Sequence, residues 1–178
     1  MEIDKKTRDL SNLLLEIIEV AEIHGRDFFV SGGFALDIQT GELTRSHADL
    51  DLHPMEVDIS WWKSWFKKKN FKISYNDEMR DRTKAFEAHS PRGSFYVDMY
   101  GVKIHNDGQI SSAESGERKD WVGATWQEKI KKDVWEGKEV NVLDYRDILW
   151  LKKEVAKMPD YGIRGKDAHD LSLFRNTD

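Results

Sequence analysis

The chain has 178 residues, 39% of them hydrophobic and 34% charged, which is enough for one domain of ordinary size with a real core and too rich in periodic apolar segments to be disordered. There is no cysteine, which excludes disulfides and zinc-thiolate sites, and the net charge of −5 argues against a surface built to grip nucleic-acid backbone. The N-terminus leads into an amphipathic rather than a continuous apolar stretch, so the expectation is a cytoplasmic protein with no signal peptide and no membrane span.

Leu10, Leu13, Leu14, Ile17, Ile18 and Ala21 recur at helical spacing and predict a helix from about Asp4 to His24, closed by Gly25. Asp27 to Val30 reads as a short buried strand, Ser31-Gly32-Gly33 as a turn, and Phe34 to Ile38 as a short helix ending near Gly41. After a loop carrying Thr44 and Arg45, the run from Ser46 to His53 reads as a strand that stops at Pro54. A helix with Trp61, Trp62, Trp65 and Phe66 follows and ends in Lys67-Lys68-Lys69. These tryptophans are read mainly as core or subunit-contact residues.

Strands are then predicted over Phe71 to Tyr75, Lys84 to His89 and Ser94 to Val102, and a loop or hairpin over His105 to Lys119. Glu139 to Leu143 reads as a strand, Asp144 as the cap of a helix running to about Lys157, and Lys166 onward as a last helix. The fold class is α+β, a mixed β-sheet flanked by helices with C-terminal helices. It forms one domain over 1–178, with a catalytic core to about 120 and a C-terminal helical part from about 121.

The chemistry is carried by three acids and a glycine turn. On a strand, Asp49 and Asp51 project together from one face while Leu50 and Leu52 enter the core, so two like charges are forced close and call for a divalent cation. Asp98, within another strand, supplies the third carboxylate of a two-metal phosphoryl-transfer centre, as metal ligand, general base or both. Gly32 and Gly33, in a turn between a strand and a helix, let the backbone approach a phosphate and place free N–H groups at the helix N-terminus, and Ser31 adds a hydroxyl.

The run from Ser31 to Asp37, followed by Gly41 to Asp51, resembles the signature of the polymerase-beta-type nucleotidyltransferase superfamily. Within it the chain is similar to the branch of lincosamide nucleotidyltransferases and aminoglycoside 2''-adenylyltransferases. The match is specific over about twenty residues, then extends to Asp98 and more loosely to Lys152 and to Lys166, Asp167 and Asp170.

The resemblance implies a minimal nucleotidyltransferase fold and transfer of a nucleoside monophosphate from an NTP, with ATP favoured, to a hydroxyl of a small acceptor such as an antibiotic, releasing pyrophosphate. Asp49, Asp51 and Asp98 would then be catalytic and hold Mg2+, as two ions. Ser31, Gly32, Gly33, Arg45, His47 and Lys166 would bind the nucleotide. Arg45 and His47 are open to two roles each: phosphate contact, or an ordinary ion pair for Arg45 and loop ordering for His47. His53, next to Pro54, is read as a bystander.

The acceptor is not assigned, because Asp77, Glu78, Asp81 and Glu87 interleave with Arg80, Arg82 and Lys84. A second subunit is expected to complete its site, making a homodimer. Two other classes stay open: an enzyme that modifies RNA or protein, as toxin-like members of the superfamily do, and a non-catalytic nucleotide-binding protein.

Overall fold

The computed structural model describes residues 2–75, 84–112, 126–157 and 162–174. Helix α1 (Lys5–His24) begins at Asp4, whose carboxylate accepts from the Thr7 N–H at 2.8 Å, and ends at Gly25 in the left-handed conformation. Its buried stripe is the predicted one, from Leu10 to Ala21. Strand β1 (Phe28–Ser31) runs without a loop into α2 (Gly32–Thr40), so the glycine pair is not a turn before the helix but its first two residues. Next come β2 (Asp49–Pro54), a single 3-10 turn at Glu56–Asp58, and α3 (Ile59–Lys68).

Strands β3 (Lys72–Ser74), β4 (Ala85–His89) and β5 (Tyr96–Tyr100) follow. The predicted strand from Ser94 to Val102 breaks at Gly101, whose N–H turns to the Lys84 carbonyl at 2.8 Å. The chain then enters a separate hairpin of β6 (Val102–Ile104) and β7 (Ile110–Ser112), which takes up the first part of the stretch read as a loop or hairpin. A short helix α4 (Trp126–Lys129) leads into β8 (Ile130–Trp135), β9 (Lys138–Leu143), α5 (Tyr145–Val155) and α6 (Gly165–Leu173). Strand β9 is the one predicted from Glu139 to Leu143, whereas β8 was not predicted.

Seven strands form one mixed sheet in the order β3-β4-β5-β2-β1-β9-β8, with β2–β5 and β1–β9 parallel and the other pairs antiparallel. Paired residues share a face. Val142, Val30, Leu52, Met99 and Phe86 thus make one apolar row across five strands, each fully buried. Trp62 and Phe66 of α3 pack edge-on against Phe28 and Phe86. Trp62 is fully buried, and truncating such a residue costs about 3–5 kcal/mol.

Trp135 is also in the core, its indole N–H donating to Ser11 at 3.0 Å, while Trp61 and Trp65 pack at the core's edge and Trp150 is exposed. Trp121 and the Trp126 side chain lie outside the described residues. Among the described residues no helix is long and apolar enough to cross a membrane.

Candidate active site

One residue along each strand from the apolar row, the side chains face the other way. Ser31, Asp51, Asp98, Glu87 and Ser74 stand in register across β1, β2, β5, β4 and β3. Asp51 is paired directly with Asp98, so the carboxylates expected from strand alternation are neighbours. Asp49 lies one strand repeat away on the same face, accepting from the Tyr96 hydroxyl at 3.2 Å with the Lys166 ammonium at 3.9 Å.

The electrostatics of this row are those of an anionic centre short of cations. Burial, then the charge of Asp49, pushes the Asp51 carboxyl up to about 6 despite Lys166, Lys152 and Arg45. Burial, then Asp51, Glu87 and Asp49, pushes Asp98 up to about 8. Tyr96 is raised by burial and the same carboxylates.

Among the described residues no three His, Asp or Glu side chains are arranged to hold a metal ion as they stand. The donor set nonetheless fits a hard divalent cation: it is all oxygen and anionic, and Asp98 Oδ1 is buried with no hydrogen-bond partner among the described residues.

The glycine pair makes room for this arrangement. Gly32 has φ +63, and a Cβ there would stand 1.9 Å from Asp51 Oδ2. At Gly33 a Cβ would stand 2.1 Å from the Arg45 guanidinium and 2.7 Å from the His47 ring. The first N–H groups of a helix have no partner within it. Ser31 does not cap α2 but bonds His53 Nε2 at 2.8 Å.

Strand β2 persists past His53, which puts it on the Asp51 face. There it stacks on Phe29 at 4.6 Å, and burial holds its ring down at about 4, opposed by a hydrogen bond the ring donates to the Tyr100 backbone. Its two-residue spacing from Asp51 was the available signal.

Arg45 and His47 are turned into the protein, at 7% and 2% exposure. His47 Nε2 meets Asp37 Oδ2 at 2.7 Å and its Nδ1 meets Arg45 Nη1 at 3.1 Å. A carboxylate only accepts and a guanidinium only donates, so Nε2 carries the hydrogen. Asp37 also accepts from the Thr44 hydroxyl at 2.6 Å.

Arg45 clasps Asp170 with two hydrogen bonds, and Lys152 bridges Asp170 and Asp167 at 3.0 Å each. Asp37, Asp170, Lys152 and Arg164 thus belong to the support of the site. Asp37 closed the first run of the signature with no role assigned to it, Lys152 and Asp170 carried a loose signal, and Arg164 carried none.

A cavity of about 370 Å3 opens beside Asp51, between the sheet and α5 and α6. Ser31, Gly32 and His53 line it on one side, and Ile148, Leu151 and Val155 give it an apolar wall on the other. Residues 77–82 of the expected acceptor side lie outside the described residues, whereas Glu87 is in the row.

A strand running into a glycine-started helix, an Asp-x-Asp strand beside it and a third acid on the next parallel strand define a nucleotidyltransferase of the polymerase-beta type. The model of the family described as Aminoglycoside-2''-adenylyltransferase matches residues 13–173, and the chain belongs to that family.

Among solved structures, it is similar to the lincomycin-bound lincosamide antibiotic adenylyltransferase LnuA, with TM-score 0.71 and 15% identity over 100% of both chains. It is also similar to the antibiotic-resistance factor ANT(2'')-Ia in its solution structure, with TM-score 0.70 and 18% identity over 94% of this chain and 83% of that one. A putative nucleotidyltransferase from Thermotoga maritima follows with TM-score 0.55 and 13% identity over 96% and 95%. At these identities the likeness is one of fold. No curated protein matches the chain.

Proposed function

We propose that this enzyme transfers a nucleoside monophosphate from a Mg-NTP to a hydroxyl of a small acceptor, of the kind represented by lincosamide and aminoglycoside antibiotics, releasing pyrophosphate. The observation that carries the reading is the register of Ser31, Asp51 and Asp98: a helix N-terminus that suits phosphate lies directly beside two facing carboxylates, one with a buried unpartnered oxygen.

Asp49, Asp51 and Asp98 would hold Mg2+, which when bound neutralises triphosphate charge and polarises the transferred phosphorus. The N–H groups of Gly32 and Gly33 and the Ser31 hydroxyl bind the triphosphate, and Lys166 adds charge near Asp49. Arg45 and His47 act from behind, fixing the loop that leads into β2. The apolar wall of the cavity takes the base and ribose, ATP being the favoured donor.

Asp98 accepts the proton of the acceptor hydroxyl, whose oxygen bonds to the α-phosphorus as the bond to the β-phosphate oxygen breaks. The reaction needs NTP and Mg2+, which fits a cytoplasmic enzyme, and a homodimer would complete the acceptor side. A monomeric mass in solution would count against that last point.

The test is pyrophosphate release from each of the four NTPs with Mg2+ across a panel of lincosamides, aminoglycosides and small RNAs, with Asp49→Ala as the blank. Release that needs a small acceptor and Asp49 is expected. Release only with RNA would favour a macromolecular acceptor instead.

A further inference from the structure

The row of side chains does not end at Asp98. Glu87 is its direct cross-strand partner on β4, and Ser74 is the partner of Glu87 on β3. Glu87 Oε2 accepts from the Ser74 hydroxyl at 3.1 Å and stands 2.9 Å from His89 Nε2, and the same hydroxyl and ring nitrogen are 2.7 Å apart. His89 lies in turn 5.5 Å from the Tyr96 ring, whose hydroxyl reaches Asp49.

This cluster carries none of the phosphate or metal chemistry assigned above. It lies on the side of Asp98 away from Ser31, the glycine pair and the cavity. An acidic group beside the metal carboxylates is costly to keep, because it adds like charge at a site already crowded with it. As a fixed acceptor of hydrogen bonds it has a use. Among the described residues, the Ser74 hydroxyl and the His89 ring both meet Oε2, and the carboxylate has two oxygens, so it has further lone pairs to offer a donor without losing its brace. The Glu87 side chain is 17% exposed and that of His89 35%, so a solute can reach the pair.

We infer that Glu87, braced by Ser74 and His89, is the acceptor-binding residue of this site: it takes a hydroxyl or ammonium of the acceptor and so holds the reacting hydroxyl over Asp98. The inference rests on the transferase reading for what the bound molecule then undergoes, but the binding itself is measurable without turnover. Nucleotide and acceptor would enter from opposite sides of Asp98, the first over Ser31 and Gly32 and the second over Glu87.

Titrating tobramycin and lincomycin into the full chain, loaded with Mg2+ and a non-hydrolysable ATP analogue, tests this by calorimetry. Glu87→Ala is expected to weaken at least one of the two by about tenfold or more, the weight of a hydrogen bond to a charged group, while the affinity for the ATP analogue stays within twofold. Ser74→Ala, which leaves Glu87 in place but unbraced, should weaken the same probe by a smaller factor, and it carries the test if Glu87→Ala fails to fold.

Unchanged probe affinity in the variants overturns the inference. So does a wild type that binds the ATP analogue and neither probe, and so does a parallel loss of nucleotide and probe affinity. Probe binding that depends on Glu87 in a wild type that transfers nothing would leave this site standing and overturn the transferase reading instead.

Discussion

Arg45 and Asp170 are 125 residues apart in the chain and meet in a bidentate ion pair, Nε to Oδ1 at 2.7 Å and Nη2 to Oδ2 at 3.0 Å. Asp170 is 1% exposed, so the pair closes the loop before β2 against α6 inside the protein. Removing one partner leaves a buried charge uncompensated. Asp170→Ala should cost about 3–5 kcal/mol in urea unfolding. An Arg45→Met/Asp170→Leu double variant should recover much of that loss, since the guanidinium is then gone with its partner and Lys152 keeps Asp167. A double variant no more stable than Asp170→Ala would show that the pair does more than cancel charge.

The same clasp sets the response to acid. Burial pushes Asp167 and Asp170 up, but hydrogen bonds from Arg164 and Lys152 to the first, and from Arg45 with the charge of Lys152 to the second, outweigh it. Asp167 ends at about 2 and Asp170 below the ordinary carboxylate value. A carboxyl whose folded pKa is depressed stabilises the fold above its unfolded value of about 3.9, and that contribution is lost as pH falls through the folded one. Between pH 4 and 2 the wild type should therefore lose more stability than Asp167→Asn, measured as the slope of unfolding free energy against pH. Equal slopes would remove Asp167 from the account.

Asp98 is expected to oppose the stability of the metal-free fold. It is buried, faces Asp51 and has an unpartnered Oδ1, so Asp98→Asn relieves repulsion at constant shape. Without metal, Asp98→Asn should melt higher than wild type by about 2–4 °C, the shift that roughly 1 kcal/mol gives a chain of this size. Its turnover should nonetheless fall by about 10²–10⁴, the usual contribution of a positioned base. That opposition is what a functional site looks like. A lower melting point would mean that Asp98 is held for structure.

What could be read before the fold was known follows from local rules. The stripe on α1, its closure at Gly25, the cap Asp144, and the alternation of Asp49 and Asp51 depend only on neighbours in sequence. Strand β8 escaped because its burial does not alternate: Ile130 and Trp135 are inside and most of Lys131 to Val134 is outside. Its signal was the Glu136-Gly137 turn, both residues having positive φ. The partner of Arg45 escaped for a different reason. Nothing near Arg45 distinguishes a buried clasp from a surface pair, because the answer lies on α6. Glu87 looked like one charge in a mixed run, and only the register of β4 with β5 puts it beside Asp98.

Gly32 and Gly41 separate strain from function. Both have positive φ, +63 and +79, so alanine at either meets the same backbone penalty of about 1–2 kcal/mol. The space around them differs. A Cβ at Gly41 would meet nothing within 4 Å, while one at Gly32 would stand 1.9 Å from Asp51 Oδ2 and drive that carboxylate from its place opposite Asp98. Gly41→Ala should therefore lose stability and keep its turnover. Gly32→Ala should lose more stability and, in addition, turnover by about 100-fold, since a displacement of this size at the reacting centre costs that much. Steady-state rates with saturating Mg-ATP, measured well below both melting points, decide the matter. Equal turnover in the two variants would show that Asp51 can shift without consequence and would undo its assignment to the metal.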